Sequence, residues 1–143
     1  MNNLLRILCP TVALSLFAAS SCGSSPAASP SSGDRALSTG TWGGPHVEMT
    51  VGPQGATLEM DCARGAIAKP IVVGRDGRFQ VSGTYAPEHA GPARDDEEKG
   101  RPAVYTGRLE GETLSLGISS ENGEDVGSFE LVHGRPGRIT KCL

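Results

Sequence analysis

The sequence predicts an all-β protein, and three observations support this prediction. Apolar and polar residues alternate with a period of two in several short segments, as they do in strands with one buried face. Turn residues separate these segments, since the chain has 20 glycines and 10 prolines but one Trp, two Tyr and three Phe. No stretch shows the period of about 3.6 residues that marks an amphipathic helix.

The clearest element is a hairpin. Residues 47–51 alternate Val, Met and Val with polar neighbours, and residues 56–62 alternate Ala, Leu, Met and Cys in the same way. Between them, Gly-Pro-Gln-Gly at 52–55 has the composition of a tight turn. An apolar segment at 67–73 follows, where Pro70 predicts an edge or a bend.

Further alternating segments fill the rest of the chain. Each is short and bounded by glycine-containing turns, of which Asn122-Gly123 is a strong hairpin dipeptide. They lie at 78–85, 104–110, 114–118, 126–132 and 138–143. Since consecutive strands joined by short turns tend to pair, we expect a small antiparallel up-and-down barrel or half-barrel of about eight strands.

One connection breaks the short-turn pattern. Residues 86–101 carry the acidic run 95–98 and little apolar content. We expect a solvated excursion here, because the run is charged. Loose binding of a calcium ion is the alternative, although the run lacks the ordered spacing of a dedicated calcium loop.

The first 21 residues have the pattern of an export signal. Arg6 and the amino terminus give a weakly positive start, the stretch from Leu4 to Ala19 is largely apolar, and small residues end the segment. The apolar stretch is short for a membrane span and is interrupted by Pro10. We therefore expect export from a bacterial cell and location in the cell envelope.

The residues before Cys22 resemble the lipobox of bacterial lipoproteins. In Ala19-Ser20-Ser21-Cys22, small residues precede a cysteine, although Ala19 stands where leucine is commoner. The resemblance implies lipidation of Cys22 and a membrane anchor, in the outer membrane if the host has one. Ordinary cleavage after Ser21 is the alternative.

Two other cysteines lie in the folded part. An exported protein favours paired cysteines, so we expect a disulfide between Cys62 and Cys142, with two free thiols as the alternative. Such a bridge would stabilise the fold by roughly 4 kcal/mol in the chain-entropy model. The segment 22–37 is rich in Gly, Ser, Pro and Ala and is expected to be a disordered linker, so the domain is placed at 38–143.

The charge excludes one class of partner. The formal net charge is −3, and a nucleic-acid surface needs clustered basic residues instead. We expect no nucleic-acid partner and no cofactor.

Gly40-Thr41-Trp42 resembles the Gly-x-Trp motif at the start of lipocalin and wider calycin barrels. The resemblance implies that Trp42 closes one barrel end under an arginine from the last strands, with Arg138 the first candidate and Arg135 the second. The stretch from Trp42 through Asp-Cys-Ala-Arg-Gly at 61–65 to Gly-Arg-Pro-Gly-Arg at 134–138 also resembles a group of uncharacterised small bacterial secreted proteins, which implies one compact domain and no particular activity.

Few residues suggest chemistry. The three histidines, His46, His89 and His133, are too dispersed for a recognisable metal spacing, and no catalytic-serine motif is present. Asp61 and Arg64 flank the expected disulfide. They are interpreted either as a ligand contact at the barrel rim or as an ion pair that shapes the turn.

These features favour a non-enzymatic binding module of the envelope that binds through its loops or barrel mouth. The calycin resemblance implies lipid or another small apolar molecule as the ligand. An interaction or assembly module with a filled core is the alternative. A third hypothesis is a hydrolase built around Asp61 and one histidine.

Overall fold

The computed structural model describes residues 33–89 and 100–142, which form ten strands. Eight of them close into an antiparallel barrel in which every strand pairs with its neighbour along the chain and the last pairs with the first. This confirms the predicted all-β up-and-down barrel. The strands are β1 Arg35–Ala36, β2 Gly40–Gly44, β3 Val47–Gly52, β4 Gly55–Met60, β5 Ala63–Ile67, β6 Val72–Val73, β7 Arg78–Pro87, β8 Arg101–Glu110, β9 Thr113–Ser120 and β10 Asp125–His133.

Tight turns set the register of the barrel. β3 and β4 pair from Val47 opposite Met60 to Gly52 opposite Gly55, so the predicted hairpin is present. In the turn between β9 and β10, Gly123 has a φ of 84°, a left-handed value that glycine adopts without strain. The described part of the chain contains no helix that could cross a membrane.

Side chains fill the interior of the barrel. Alternate residues of each strand point inward, and the largest fully buried ones include Trp42, Met49, Leu58, Tyr105 and Leu116. The phenol of Tyr105 donates a hydrogen bond to Thr84 O at 2.6 Å. Burial raises the pKa of Tyr105 to about 12, so its donor proton stays in place at neutral pH.

One end of the barrel, called the closed end, is covered by two short segments. β1 pairs with β6, and Leu37 N donates to Ile71 O. Leu37, Ile71 and Val73 are buried in the core cluster. The packed part of the chain therefore begins before Ser38, since Leu37 is buried and β1, which precedes it, pairs with β6.

The residues after β10, 134–142, form a tail that runs back over the outside of the barrel. They were predicted to end in a strand, but the only pairing in this segment is a single parallel bridge between Arg138 and Pro45. The tail passes close to Gly43, where a Cβ atom would collide with its main chain. It ends at the predicted disulfide, which joins Cys62 and Cys142.

Some predictions concern residues outside the described ranges. The export signal 1–21, Cys22, most of the linker and the acidic run 95–98 all fall there. They remain predictions.

Candidate functional site

The end of the barrel opposite the closed end holds a pocket, called the mouth. Its volume is about 200 Å³, and most of its exposed lining is apolar. It lies where the turns after β2 and β4 approach the start of β10 and the end of β7. The lining residues are His46, Met60, Asp61, Cys62, Ala63, Tyr85, Val126 and Phe129.

The mouth exists because the pairing between the first and the last barrel strand, β2 and β10, is short. β10 and β2 pair only at Val132 opposite Gly43 and His133 opposite Trp42. We call the boundary between these two strands the seam. On the open side of the seam a β-bulge shifts β10 near Val126, and both Val126 and Phe129 are only partly buried. The interior is therefore reachable here.

His46 is held at the rim by its turn. It follows Pro45 in the two-residue connection between β2 and β3, and its φ is 65°. Proline followed by a residue with positive φ is the pattern of a type II turn, which usually has glycine at the second position. Holding a histidine there costs on the order of 1 kcal/mol. This backbone geometry accompanies a short contact, 2.6 Å from His46 Nδ1 to Asp61 Oδ2.

Asp61 is the polar centre of the mouth. Its second oxygen, Oδ1, accepts a hydrogen bond from Thr140 N at 2.8 Å, and Cys142 N donates to its carbonyl at 3.1 Å. The Thr140 hydrogen bond, together with the His46 contact, lowers the pKa of Asp61 below its ordinary value of 3.8. Asp61 is therefore ionised at neutral pH and fixes both the tail and the imidazole.

Arg64 lies on the outer face of β5 rather than in the mouth. Its guanidinium is 3.7 Å from Glu88. Lys141 of the tail contacts the same Glu88 at 3.0 Å and Glu59 at 2.7 Å. The Glu59 hydrogen bond is the main reason that the pKa of Lys141 is raised. The structure thus gives Asp61 and Arg64, predicted as a pair, different partners.

Trp42 is buried, as a barrel-closing residue should be, and its Nε1 donates to Ser38 O at 2.9 Å. The ring against it is the imidazole of His133, with centroids 4.6 Å apart. Arg138, predicted to pack on Trp42, lies past the end of β2. There its main chain bonds to Gly44 O and His46 N. Cation–π closure by Arg138 is therefore absent among the contacts of the described residues.

Other depressions are shallower or more polar than the mouth. A groove of about 290 Å³ on the outer face of β8 to β10 is also mainly apolar but shallower than the mouth, and a pocket of about 350 Å³ at the closed end is mainly polar. Among the described residues, no three His, Cys, Asp or Glu side chains are placed to hold a metal ion. The mouth is the concave apolar site that reaches the core.

Comparison with known proteins identifies no relative. No family model matches the chain. Neither a curated protein nor a solved structure shows significant similarity to it. The function is therefore inferred from the geometry of the barrel and its mouth.

Proposed function

We propose that the protein is an exported, lipid-anchored binding module of the bacterial envelope, and that it binds an apolar group in the mouth. The amino-terminal pattern and Cys22 support the anchor. The Cys62–Cys142 disulfide supports export, because such bonds persist in oxidising compartments. With those two cysteines paired, lipidation accounts for Cys22.

The observation that carries the binding proposal is the apolar mouth beside a fixed polar pair. Ligand sites are concave, mostly apolar, and hold a few polar groups that set orientation. Met60, Val126 and Phe129 supply apolar surface, while His46 and Asp61 form a hydrogen-bonded polar pair at the rim.

The size of the mouth limits its ligand. Pockets for whole drug-sized molecules span roughly 300–1,000 Å³, and the mouth has about 200 Å³. A cavity of about 150 Å³ holds benzene. We therefore expect the mouth to take one side chain or ring of a larger partner, with the filled barrel interior as a rigid support.

The chain enters the fold at the end opposite the mouth. It does so through β1 at the closed end, whereas the mouth is at the other end. A tether that leads to β1 would therefore not cover the mouth. We expect the mouth to be accessible to a partner in the aqueous compartment.

The test uses a small apolar probe and a variant that fills the mouth. The protein is produced by export, and binding of toluene, which matches the side chain of Phe, is followed by NMR chemical shifts. Val126→Trp should abolish binding, because the larger side chain occupies the mouth. Val104→Trp, on the outer face of β8, is the matched control and should bind as the unchanged protein does. Equal binding by both variants would refute the proposal.

The contact between His46 and Asp61 supports a second candidate, hydrolysis. A carboxylate that orients an imidazole is a common general-base arrangement. If the protein is a hydrolase, Asp61→Asn should abolish turnover of a panel of chromogenic esters in a variant whose melting curve shows that it is still folded. Turnover that is unchanged in Asp61→Asn, or absent in the unchanged protein, would leave this candidate without support.

A further inference from the structure

The edge of β10 that faces the seam is only partly paired. β10 pairs with β9 from Asp125 to Val132, but with β2 only at Val132 and His133. Residues 126–129 therefore have a neighbouring strand on one side only. This stretch includes Val126 and Phe129, which line the mouth.

The direction of the unpaired groups follows from the hydrogen bonds at the end of the strand. His133 N donates to Glu112 O, on the β9 side, while Gly134 N donates to the β2 side. Main-chain groups alternate along an antiparallel ladder. The N–H groups of Ser128 and Glu130 and the C=O of Ser128 therefore point toward the seam.

The pairing of β10 with β2 stops because of a proline in the turn after β2. Continuing the register from Val132 opposite Gly43 would place Glu130 opposite Pro45. Proline has no N–H to donate, and it ends the ladder there. Gly44 still approaches the carbonyl of Glu130 so closely that a Cβ atom would collide with it. From Ser128 toward the start of β10, no strand of the described chain covers the edge.

The charges along this edge have one sign. Glu124, Asp125 and Glu130 are exposed, and none of them forms an ion pair with another described residue. They border a pocket whose exposed lining is mainly apolar. A partner that fits both features carries basic groups on either side of an apolar one.

We propose that the free edge of β10 binds an extended peptide segment as an added β-strand. One apolar side chain of the segment, of the size of Leu or Phe, occupies the mouth, and basic residues beside it face the carboxylates. Strand addition gives affinity through main-chain hydrogen bonds and specificity through pockets for alternate side chains. The inference rests on the proposed function, since it names the partner of the same mouth.

The probe is a phage library of random linear heptapeptides, selected on the exported protein and counter-selected on Val126→Trp. We expect enrichment of sequences with one large apolar residue flanked by Lys or Arg. The affinity of an enriched peptide, made synthetically, is then measured for two variants of Ser128. Ser128→Pro removes the N–H that faces the seam but no bond to β9, and Ser128→Ala is its matched control.

Ser128→Pro should weaken peptide binding roughly fivefold or more, the factor that corresponds to about 1 kcal/mol for one hydrogen bond. Ser128→Ala should not weaken it. Equal affinities of the two variants, or a library without enrichment, would overturn the inference while toluene binding in the mouth continued to support the proposed function. Toluene binding that Val126→Trp leaves unchanged would instead refute the proposed function itself. Melting curves of all variants verify that each is folded.

Discussion

Replacing Cys62 and Cys142 together by serine tests how the tail stabilises the barrel. The two cysteines are 80 residues apart in sequence. In the chain-entropy model, opening a loop of that length costs about 4.5 kcal/mol, because the unfolded chain gains freedom. The native fold should persist in the variant, since Arg138, Thr140 and Lys141 still hold the tail through hydrogen bonds.

Urea denaturation at neutral pH measures this loss. We expect the free energy of unfolding to fall by about 4 kcal/mol and the melting temperature by roughly 20 °C. The free energy of unfolding should also fall more steeply with urea concentration, because the unfolded state without the bridge exposes more surface. Ser115→Ala, an exposed change on β9, is the control. A loss below about 1 kcal/mol would show that the bridge does not constrain the unfolded chain as argued.

Three further predictions concern the interior and the mouth. Tyr105→Phe should lower the free energy of unfolding by about 1–3 kcal/mol in urea denaturation, because Thr84 O loses its buried donor. An unchanged free energy of unfolding would mean that the hydrogen bond from Tyr105 to Thr84 contributes nothing to stability. Gly65→Ala should lower the free energy of unfolding by about 1–3 kcal/mol in the same assay, since the new Cβ would collide with the Tyr105 hydroxyl. An unchanged urea midpoint would contradict the tight packing of Gly65 against Tyr105. The pKa of Asp61 is lowered, so its hold on Thr140 is complete above pH 3.8 and is lost as the pH falls below that lowered pKa. Hydrogen-exchange protection of the Thr140 amide should fall in that acidic range, whereas constant protection through it would refute the assignment.

The sequence predicted those parts of the fold that local patterns determine. Alternation identified β3 and β4, and the Gly52–Gly55 turn fixed their register. Asn122-Gly123 marked the turn before β10, and the cysteine count identified the disulfide. The strands and turns depend on residues that are close in sequence, and the disulfide depends only on the number of cysteines in the folded part.

Two barrel strands were missed because their sequences lack strong apolar alternation. β2 is Gly-Thr-Trp-Gly-Gly, and its glycines are explained by close approach of other chain segments, as at Gly43 and Gly44. β5 alternates Ala and Gly with larger residues and ends at Ile67. Conversely, Ile71 and Val73 looked like part of a barrel strand but cover the closed end. Only tertiary packing separates these cases.

The site was predictable only in part. Asp61 was singled out from its position beside the disulfide, and it does line the mouth. Its partner His46 lies on a separate turn, and no spacing motif joins the two. The stacking of His133 on Trp42 likewise connects opposite ends of the domain sequence. Such contacts depend on how the barrel closes.

The most direct test of the central claim, that the mouth is the binding site, is an NMR titration of the isotope-labelled protein with toluene. The account predicts that amide shifts concentrate in the turn from Met60 to Ala63, at Tyr85, and from Val126 to Phe129. Shifts confined to the closed end around Leu37, or to the outer face of β8 and β9, would contradict it.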